Sequence, residues 1–164
     1  MKICCITGHR PHKFPFDYTD RSGEAYRKYA DGLCRAAEEL AREGYGLFLS
    51  GMAEGADSDF FLAVMRAKEK LGERGEAIAF EAVFPYPNKK SGIFETEYPG
   101  VKTTVFSPRF DRSCYQRRNE YMVDKSDLVL AVWNGERAGG TWNTIAYAEK
   151  TGKPVRYIML WKNK

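Results

Sequence analysis

The stretch that decides the fold is residues 127–150, DLVLAVWNGERAGGTWNTIAYAEK. Its first seven residues are almost continuously apolar, which predicts a strand that is buried on both faces of a sheet. A glycine-rich loop follows, and residues 141–151 then predict a helix, with Thr141 as its N-cap and Gly152 at its C-terminal end. A strand that passes through a short loop into a helix is the repeating unit of α/β proteins.

The same strand–loop–helix unit recurs along the chain. Further strands are predicted at residues 2–7, 45–49, 77–84, 102–106 and 154–160, and further helices at 22–43, at 113–125 and from 53 or 57 to 71. Residues 86–100 are predicted to form a loop or a short helical piece. Because apolar strands alternate with helices, we predict an α/β fold: one three-layer α/β/α domain over residues 1–164, with a mostly parallel sheet.

The composition is that of a globular protein, with 43% hydrophobic and 29% charged residues among 164, enough for one core. The net charge of +4 and the pI near 8.8 suit an anionic ligand such as a nucleotide, but this excess is too small to indicate nucleic acid by itself. The N-terminus turns polar after a few apolar residues, and no apolar run is long enough to cross a bilayer. We therefore predict a cytoplasmic protein without a signal peptide or a membrane partner.

The chain has four cysteines, Cys4, Cys5, Cys34 and Cys114. They form no CxxC pair and have no metal-ligand spacing with His9 or His12, so no metal site is predicted. We interpret them as buried thiols that pack like small hydrophobic side chains. Because Cys4 and Cys5 are neighbours in a predicted strand, their side chains are expected on opposite faces of the sheet.

Four loops are expected to meet at one edge of the sheet, because the carboxyl ends of parallel strands share an edge and ligands bind there, at the topological switch point. These loops are residues 8–10, 50–57, 107–109 and 134–141, and each follows a different predicted strand. The predicted ligand-binding residues are Gly8, His9, Arg10, Ser50, Gly51, Glu54, Gly55, Asp57, Arg118, Asn119, Asn134, Gly139, Gly140 and Thr141.

The glycines of two of these loops suit a phosphate. Gly51 and Gly55, in the stretch SGMAEGAD of residues 50–57, allow a sharp turn and a close approach of ligand to backbone. Gly139 and Gly140 precede a helix whose first N–H groups can bind an anion. Neither loop is a Walker loop or a GxGxxG fingerprint. For residues 50–57, a plain connection with Asp57 as N-cap is an equally good interpretation.

The polar side chains of the loops suggest distinct roles. Arg10 can clamp a phosphate, and Arg118 and Asn119 are the residues of helix 113–125 that we expect to reach the site. Asp57 or Glu54 can accept a hydrogen bond from a ribose hydroxyl. Candidates for stacking on a base are Phe14, Tyr86 and Trp142, although each is also explained by packing.

No catalytic constellation is evident in the sequence, since no Ser-His-Asp order or clear nucleophile stands out. The candidates for acid–base chemistry are His9, Glu54 and Asp57. A histidine at this position can equally cap the strand end or stack on a base.

Taken together, these motifs resemble the SLOG superfamily of Rossmann-like nucleotide-binding domains, and most closely its YpsA-like branch. The resemblance covers nearly the whole chain and rests on TGHR at residues 7–10, SGMAEGAD at 50–57, Arg118-Asn119 through Asp124, residues 126–127 and GGT at 139–141. It implies a Rossmann-like fold that binds a nucleotide or a nucleotide-derived, ADP-ribose-like ligand, as a sensor or regulatory domain.

Two related families supply the alternatives. GGT is similar to the end of the PGGxGTxxE motif of the Lonely Guy phosphoribohydrolases, whose glutamate helps to cleave an N-glycosidic bond; here Thr144 stands in its place. SGMAEGAD is similar to a stretch of the DNA-processing protein A family, which binds single-stranded DNA.

The leading hypothesis is therefore nucleotide binding, and the alternatives are a nucleotide N-glycosidic hydrolase and a single-stranded nucleic-acid-binding protein. The residues that suggest a nucleic-acid surface are Arg109, Arg112, Arg117 and Arg118, with Phe110 and Tyr115 between them. A homodimer is a further hypothesis, suggested by the size and the aromatic content of the domain.

Overall fold

The structure, a computed structural model, describes residues 1–162. Its strands are β1 (Lys2–Gly8), β2 (Tyr45–Ser50), β3 (Ala79–Phe84), β4 (Lys102–Val105), β5 (Leu128–Trp133) and β6 (Val155–Met159). Its helices are α1 (Glu24–Arg42), α2 (Ala56–Leu71), α3 (Glu73–Glu76), α4 (Lys89–Glu97), α5 (Cys114–Lys125) and α6 (Gly139–Lys150), with a 3-10 turn at Pro11–Lys13. The predicted domain, 1–164, includes residues 163 and 164, which lie outside the described part.

The six strands form one sheet in the order β4-β3-β2-β1-β5-β6, and every described pair of neighbours is parallel. The predicted Rossmann-like fold is thus confirmed, and the sheet is parallel throughout rather than mostly parallel. The chain leaves β1 towards β2, and later returns from the edge strand β4 to β5 on the other side of β1. The topological switch point therefore lies between β1 and β5, where a crevice opens at the carboxyl ends of the strands.

Two apolar clusters fill the spaces on either side of the sheet. One joins it to α1, α2 and α4, and the other joins it to α5 and α6. Cys4 belongs to the first cluster and Cys5 to the second, as the alternation of a strand predicts. Burial raises the pKa of the Cys5 thiol to about 12, which agrees with a packing role. Cys34 is only half-buried and packs against the first cluster from its margin, so the prediction of a buried thiol is wrong for this cysteine.

Two predicted helix caps are wrong. α2 begins at Ala56 with Gly55 as N-cap, and α6 begins at Gly139 after Ala138, so Asp57 and Thr141 lie inside the first turns. The reason is that Gly55 and Gly139 adopt positive φ angles of 102° and 88°, and the backbone turns into each helix earlier than the polar residues suggested.

Three further observations on the described chain complete the fold. The short helix α3 was not expected, and because it occupies Glu73–Glu76, β3 begins two residues later than predicted. None of the helices formed by residues 1–162 combines the length and the apolar character that crossing a membrane requires. In the same residues, no group of His, Cys, Asp and Glu side chains is arranged to hold a metal ion.

Candidate functional site

A cavity of about 260 Å³ opens at the switch point, at the carboxyl ends of β1, β2 and β5. We call it the rim cavity. The predicted site residues that line it are Gly8, His9, Arg10, Asp57, Arg118, Asn119, Gly139, Gly140 and Thr141. The predicted residues outside its lining are Ser50, Gly51, Glu54, Gly55 and Asn134, and the loop 107–109 does not reach it either. Parallel topology therefore brings three of the four predicted loops together, while the fourth follows the edge strand β4.

Most of the stretch SGMAEGAD lies behind the residues that line the rim cavity. The fully buried Ser50 donates through Oγ to the carbonyl of Asp57 at 2.9 Å, and accepts from the N–H of Met52 at 3.1 Å. A Cβ at Gly51 would lie 2.6 Å from the guanidinium carbon of Arg118. Ser50 and Gly51 thus shape the loop and admit an arginine.

The beginning of α2 packs against the end of β1 and the residues that follow it. The N–H of Ala56 donates to the carbonyl of His9 at 3.2 Å, and a Cβ at Gly55 would lie only 2.5 Å from that oxygen. Gly8 also lets two elements approach, because a Cβ there would lie 2.4 Å from the Cβ of Ala56. The glycine-rich start of this helix therefore serves the contact between β1 and α2.

The loop after β2 also stores backbone strain. Met52 has a φ of 59°, in the left-handed region that a side chain of this size disfavours by roughly 1–2 kcal/mol. Its carbonyl accepts a hydrogen bond from the ammonium of Lys90, on α4. No sequence pattern indicates this contact, which brings another cation from a distant helix to the loop.

Arg118 is a buried cation at the floor of the rim cavity. Its side chain is on α5, the residue is only 4% exposed, and Nη1 donates to the carbonyls of Gly51 and Val83, both at 2.8 Å. Its Nε donates to the Oδ1 of Asn119 at 2.9 Å. Burial lowers the pKa of this guanidinium, which an arginine's very high ordinary pKa still leaves protonated. By contrast, Arg117 points outward and pairs with Asp111 at 2.6 Å.

Asp57 supplies the carboxyl group of the cavity wall. The residue is 8% exposed, and its Oδ2 accepts from the N–H of Ala53 at 3.3 Å. Burial raises the pKa of this carboxyl, and the charge of Arg118 opposes the rise. Of the other two acid–base candidates, His9 lines the cavity, whereas Glu54 is exposed and lies outside the lining.

His9 links the two loops at the switch point. The N–H of Asn134 donates to its Nε2 at 3.2 Å, and the Oγ1 of Thr141 lies 3.3 Å from its Nδ1. Burial lowers the pKa of the ring, which favours neutral imidazole. Asn134 is itself fixed, because its side chain donates to the carbonyl of Lys13 and accepts from the N–H of Glu136. Its role is thus to hold the loop rather than to line the cavity.

The aromatic side chain at the rim cavity is Tyr115, which was predicted for a nucleic-acid surface but not among the residues that stack on the base of a nucleotide. The guanidinium carbons of Arg10 and Arg118 lie 5.9 and 5.8 Å from the centre of its ring. Residues 115, 118 and 119 have the i, i+3, i+4 spacing of one helix face, so the prediction of Arg118 and Asn119 already contained the signal that could have identified Tyr115.

The three predicted stacking residues have packing partners instead. Phe14 is buried among other aromatic rings beneath α1, and Trp142 stacks on Trp133 at 5.6 Å. The ring of Tyr86 packs edge-to-face with those of Tyr115 and the exposed Phe110, with distances between ring centres of 6.1 and 5.4 Å. Of the three, only Tyr86 is therefore connected to the rim cavity, through Tyr115.

The first turn of α6 closes the cavity on the β5 side. Gly139, Gly140 and Thr141 all line it, and N–H groups in the first turn of a helix have no partner within the helix. A Cβ added at Gly140 would meet no atom within 4 Å. Further along the same helix, Thr144 is 1% exposed and donates to the carbonyl of Gly140 at 2.9 Å. The position that corresponds to the phosphoribohydrolase glutamate is therefore neutral and turned into the helix.

Comparison with known proteins gives a partial sequence match and a match of fold. No protein-family model matches the chain. Over 52 residues, 32% of this chain, it is 44% identical to YoqJ, an uncharacterized SPbeta prophage-derived protein of Bacillus subtilis strain 168, and the match spans only 28% of that protein's length. The Moco carrier protein of Chlamydomonas rheinhardtii superposes with a TM-score of 0.53 over 95% of this chain and 74% of its own, at 14% identity. This likeness shows the fold alone.

Proposed function

We propose that the rim cavity binds a nucleotide or a nucleotide-derived ligand such as ADP-ribose, and that residues 1–164 form one sensor or regulatory domain. The observation that carries this proposal is the convergence of Arg10, the buried Arg118 and the first turn of α6 on one cavity. Two guanidinium groups and a helix N-terminus form an environment that favours a phosphate group.

The size of the cavity suggests how much of a nucleotide it encloses. Its volume of about 260 Å³ lies just below the roughly 300–1,000 Å³ typical of small-molecule sites. The phosphate and the sugar would therefore lie inside, and the base would lie at the mouth, against the half-buried ring of Tyr115. Asp57 is the carboxyl group available to a ribose hydroxyl, since Glu54 lies outside the lining.

The relatives bear on the choice of ligand in two ways. The motifs that resemble the SLOG superfamily and its YpsA-like branch supply Gly8, Arg10, Asp57, Gly140 and Thr141 to the rim cavity, which supports a nucleotide-derived ligand. The fold neighbour is named as a carrier of Moco, so Moco belongs among the ligands to be tested.

The test uses Gly140, because a side chain there enters open space and need not disturb the fold. We expect Gly140→Asp to bind AMP, NAD or ADP-ribose at least about tenfold more weakly than the parent, since a carboxylate would stand in the anion position. Gly140→Asn, of the same size but without charge, is the matched control. Calorimetric titration of both variants against each nucleotide and Moco measures the difference.

A folded Gly140→Asp protein that binds every ligand of the panel as tightly as Gly140→Asn does would contradict the proposed anion position. Circular dichroism and thermal unfolding of the two variants establish that both are folded before they are compared.

One observation keeps the hydrolase as a second candidate: the carboxyl of Asp57 lines the rim cavity and burial raises its pKa. A carboxyl group with a raised pKa is suited to donate a proton to a leaving base. To test this candidate, the protein is incubated with AMP or NAD, and the release of adenine or nicotinamide is measured by chromatography. If the reaction occurs, Asp57→Asn should abolish it; release by the variant at the parent's rate would exclude Asp57 as the acid.

A further inference from the structure

The ring of His9, at the wall of the rim cavity, lies between the backbone of Asn134 and the side chain of Thr141. The backbone N–H of Asn134 faces Nε2 at 3.2 Å, and the hydroxyl of Thr141 faces Nδ1 at 3.3 Å. His9 and Thr141 are each only 6% exposed. A backbone N–H can only donate, so Nε2 must accept and carries no proton.

This contact fixes the tautomer of the ring. A neutral imidazole has one N–H, which must then be on Nδ1. Burial favours the neutral ring by lowering its pKa. Of the charged or titratable side chains that act on the ring, Lys13 and His12 lower the pKa further and Glu136 raises it. The Nδ1–H therefore donates to the Oγ1 of Thr141.

The direction of that hydrogen bond decides what Thr141 can do. Its hydroxyl accepts from His9, so its own proton remains available for donation. In the part of the chain that the structure describes, no carbonyl or carboxylate accepts that proton, and Thr141 lines the rim cavity. The group left to accept it is one that enters the cavity.

We infer that His9 is a positioning residue, which makes the hydroxyl of Thr141 a hydrogen-bond donor towards an acceptor of the bound ligand, namely a phosphoryl oxygen. This inference rests on the proposed function of the rim cavity. It gives His9 a role other than the acid–base chemistry or the base stacking suggested by its position in the sequence.

The first test is independent of any ligand. Long-range ¹H–¹⁵N spectra of the histidine rings report which nitrogen carries the proton, and the exposed His12 of the same protein serves as the internal reference. We expect His9 to be protonated at Nδ1 and bare at Nε2 at neutral pH. Protonation at Nε2 would overturn the inference.

The second test is a double-mutant cycle with inorganic phosphate and AMP as probes. Thr141→Val keeps the shape and removes the hydroxyl, and should weaken binding about tenfold or more, whereas Thr141→Ser should retain most of the affinity. His9→Asn should weaken binding in the parent but have no further effect in the Thr141→Val background, because the hydroxyl through which His9 acts is gone.

The two kinds of failure are distinguishable. If the parent binds AMP or phosphate and the effects of the His9 and Thr141 substitutions add, the inference is wrong while the proposed function stands, because additive effects indicate that His9 merely supports the fold. If the parent binds neither probe, the proposed function fails and the inference fails with it.

Discussion

Glu81, in the middle of β3, and Asp57, at the start of α2, are both buried acidic residues, but their surroundings differ. Each oxygen of Glu81 has two partners. Its Oε1 lies 2.7 Å from the ammonium of Lys125 and 3.4 Å from that of Lys102. Its Oε2 accepts from the hydroxyls of Thr104 and Tyr121 at 3.1 and 3.2 Å. The Glu81 cluster is thus internally satisfied, with no capacity left for a ligand.

Asp57 has far fewer partners. It accepts one backbone hydrogen bond, from Ala53, and within residues 1–162 it takes part in no ion pair. Its nearby cation, Arg118, donates to backbone carbonyls instead. The pKa values reflect this: burial raises that of Asp57, whereas for Glu81 the same effect is overcome by Lys125 and the pKa is lowered.

The difference separates a structural charge from one that is poised for binding. A fully paired buried charge holds its own elements together, and here Glu81 ties β3 to β4 and α5. An incompletely paired set of charges at the wall of a cavity keeps electrostatic capacity for another molecule. Three substitutions test whether this distinction is real.

The largest effect is expected for Arg118→Met. This substitution removes the buried guanidinium that donates hydrogen bonds to the carbonyls of Gly51 and Val83. We expect a loss of about 3 kcal/mol in the free energy of unfolding, because buried acceptors are left without partners. Urea denaturation measures it. The control is Arg117→Met, which breaks an exposed ion pair and should change stability by less than about 1 kcal/mol. Equal effects would show that Arg118 is not a structural anchor of the cavity.

Glu81→Gln should have the next largest effect, a loss of about 1.5 kcal/mol at pH 7, since the amide keeps the shape but not the charge-assisted contacts. Because the folded pKa of Glu81 lies below its ordinary value of 4.5, its contribution is present above that pH and is lost as the pH falls through the folded pKa. The stability difference from the parent should therefore shrink on acidification. A difference that stays constant between pH 7 and pH 3 would contradict this account of the Glu81 cluster.

Asp57→Asn should have the smallest effect on stability, less than about 1 kcal/mol in either direction at pH 7, because the amide oxygen can still accept from Ala53 and a buried charge is removed. Here the sign of the pH dependence is reversed. The folded pKa of Asp57 lies above its ordinary value of 3.8, so its contribution is present below that pH and is lost as the pH rises through the folded pKa.

As the pH rises from 4 to 7, the parent should therefore lose stability relative to Asp57→Asn. Relative to Glu81→Gln, the parent should instead gain stability as the pH rises. Chemical denaturation at several pH values measures both slopes in one series. Two slopes of the same sign would remove the distinction between the two carboxylates.

The fold was predictable because its signals are local. Apolar runs such as residues 128–133, stopped by glycine-rich loops, identify the strands, and their alternation with helices requires a parallel sheet. The same rule predicted that loops 8–10, 50–57 and 134–141 meet. It failed for the loop 107–109, because local sequence does not reveal that β4 is an edge strand, distant from the switch point.

The sequence by itself thus determined the strands, the longer helices and the edge of the sheet at which the loops converge. Only the tertiary structure decided which side chains face the cavity. It places the guanidinium of Arg118 against Gly51 and the ring of Tyr115 at the cavity wall. It also pairs the first N–H of α2 with the carbonyl of His9. The physical reason is range. Strand and helix formation follow from neighbours along the chain, whereas the partners of Arg118 and His9 lie on other elements, far away in sequence.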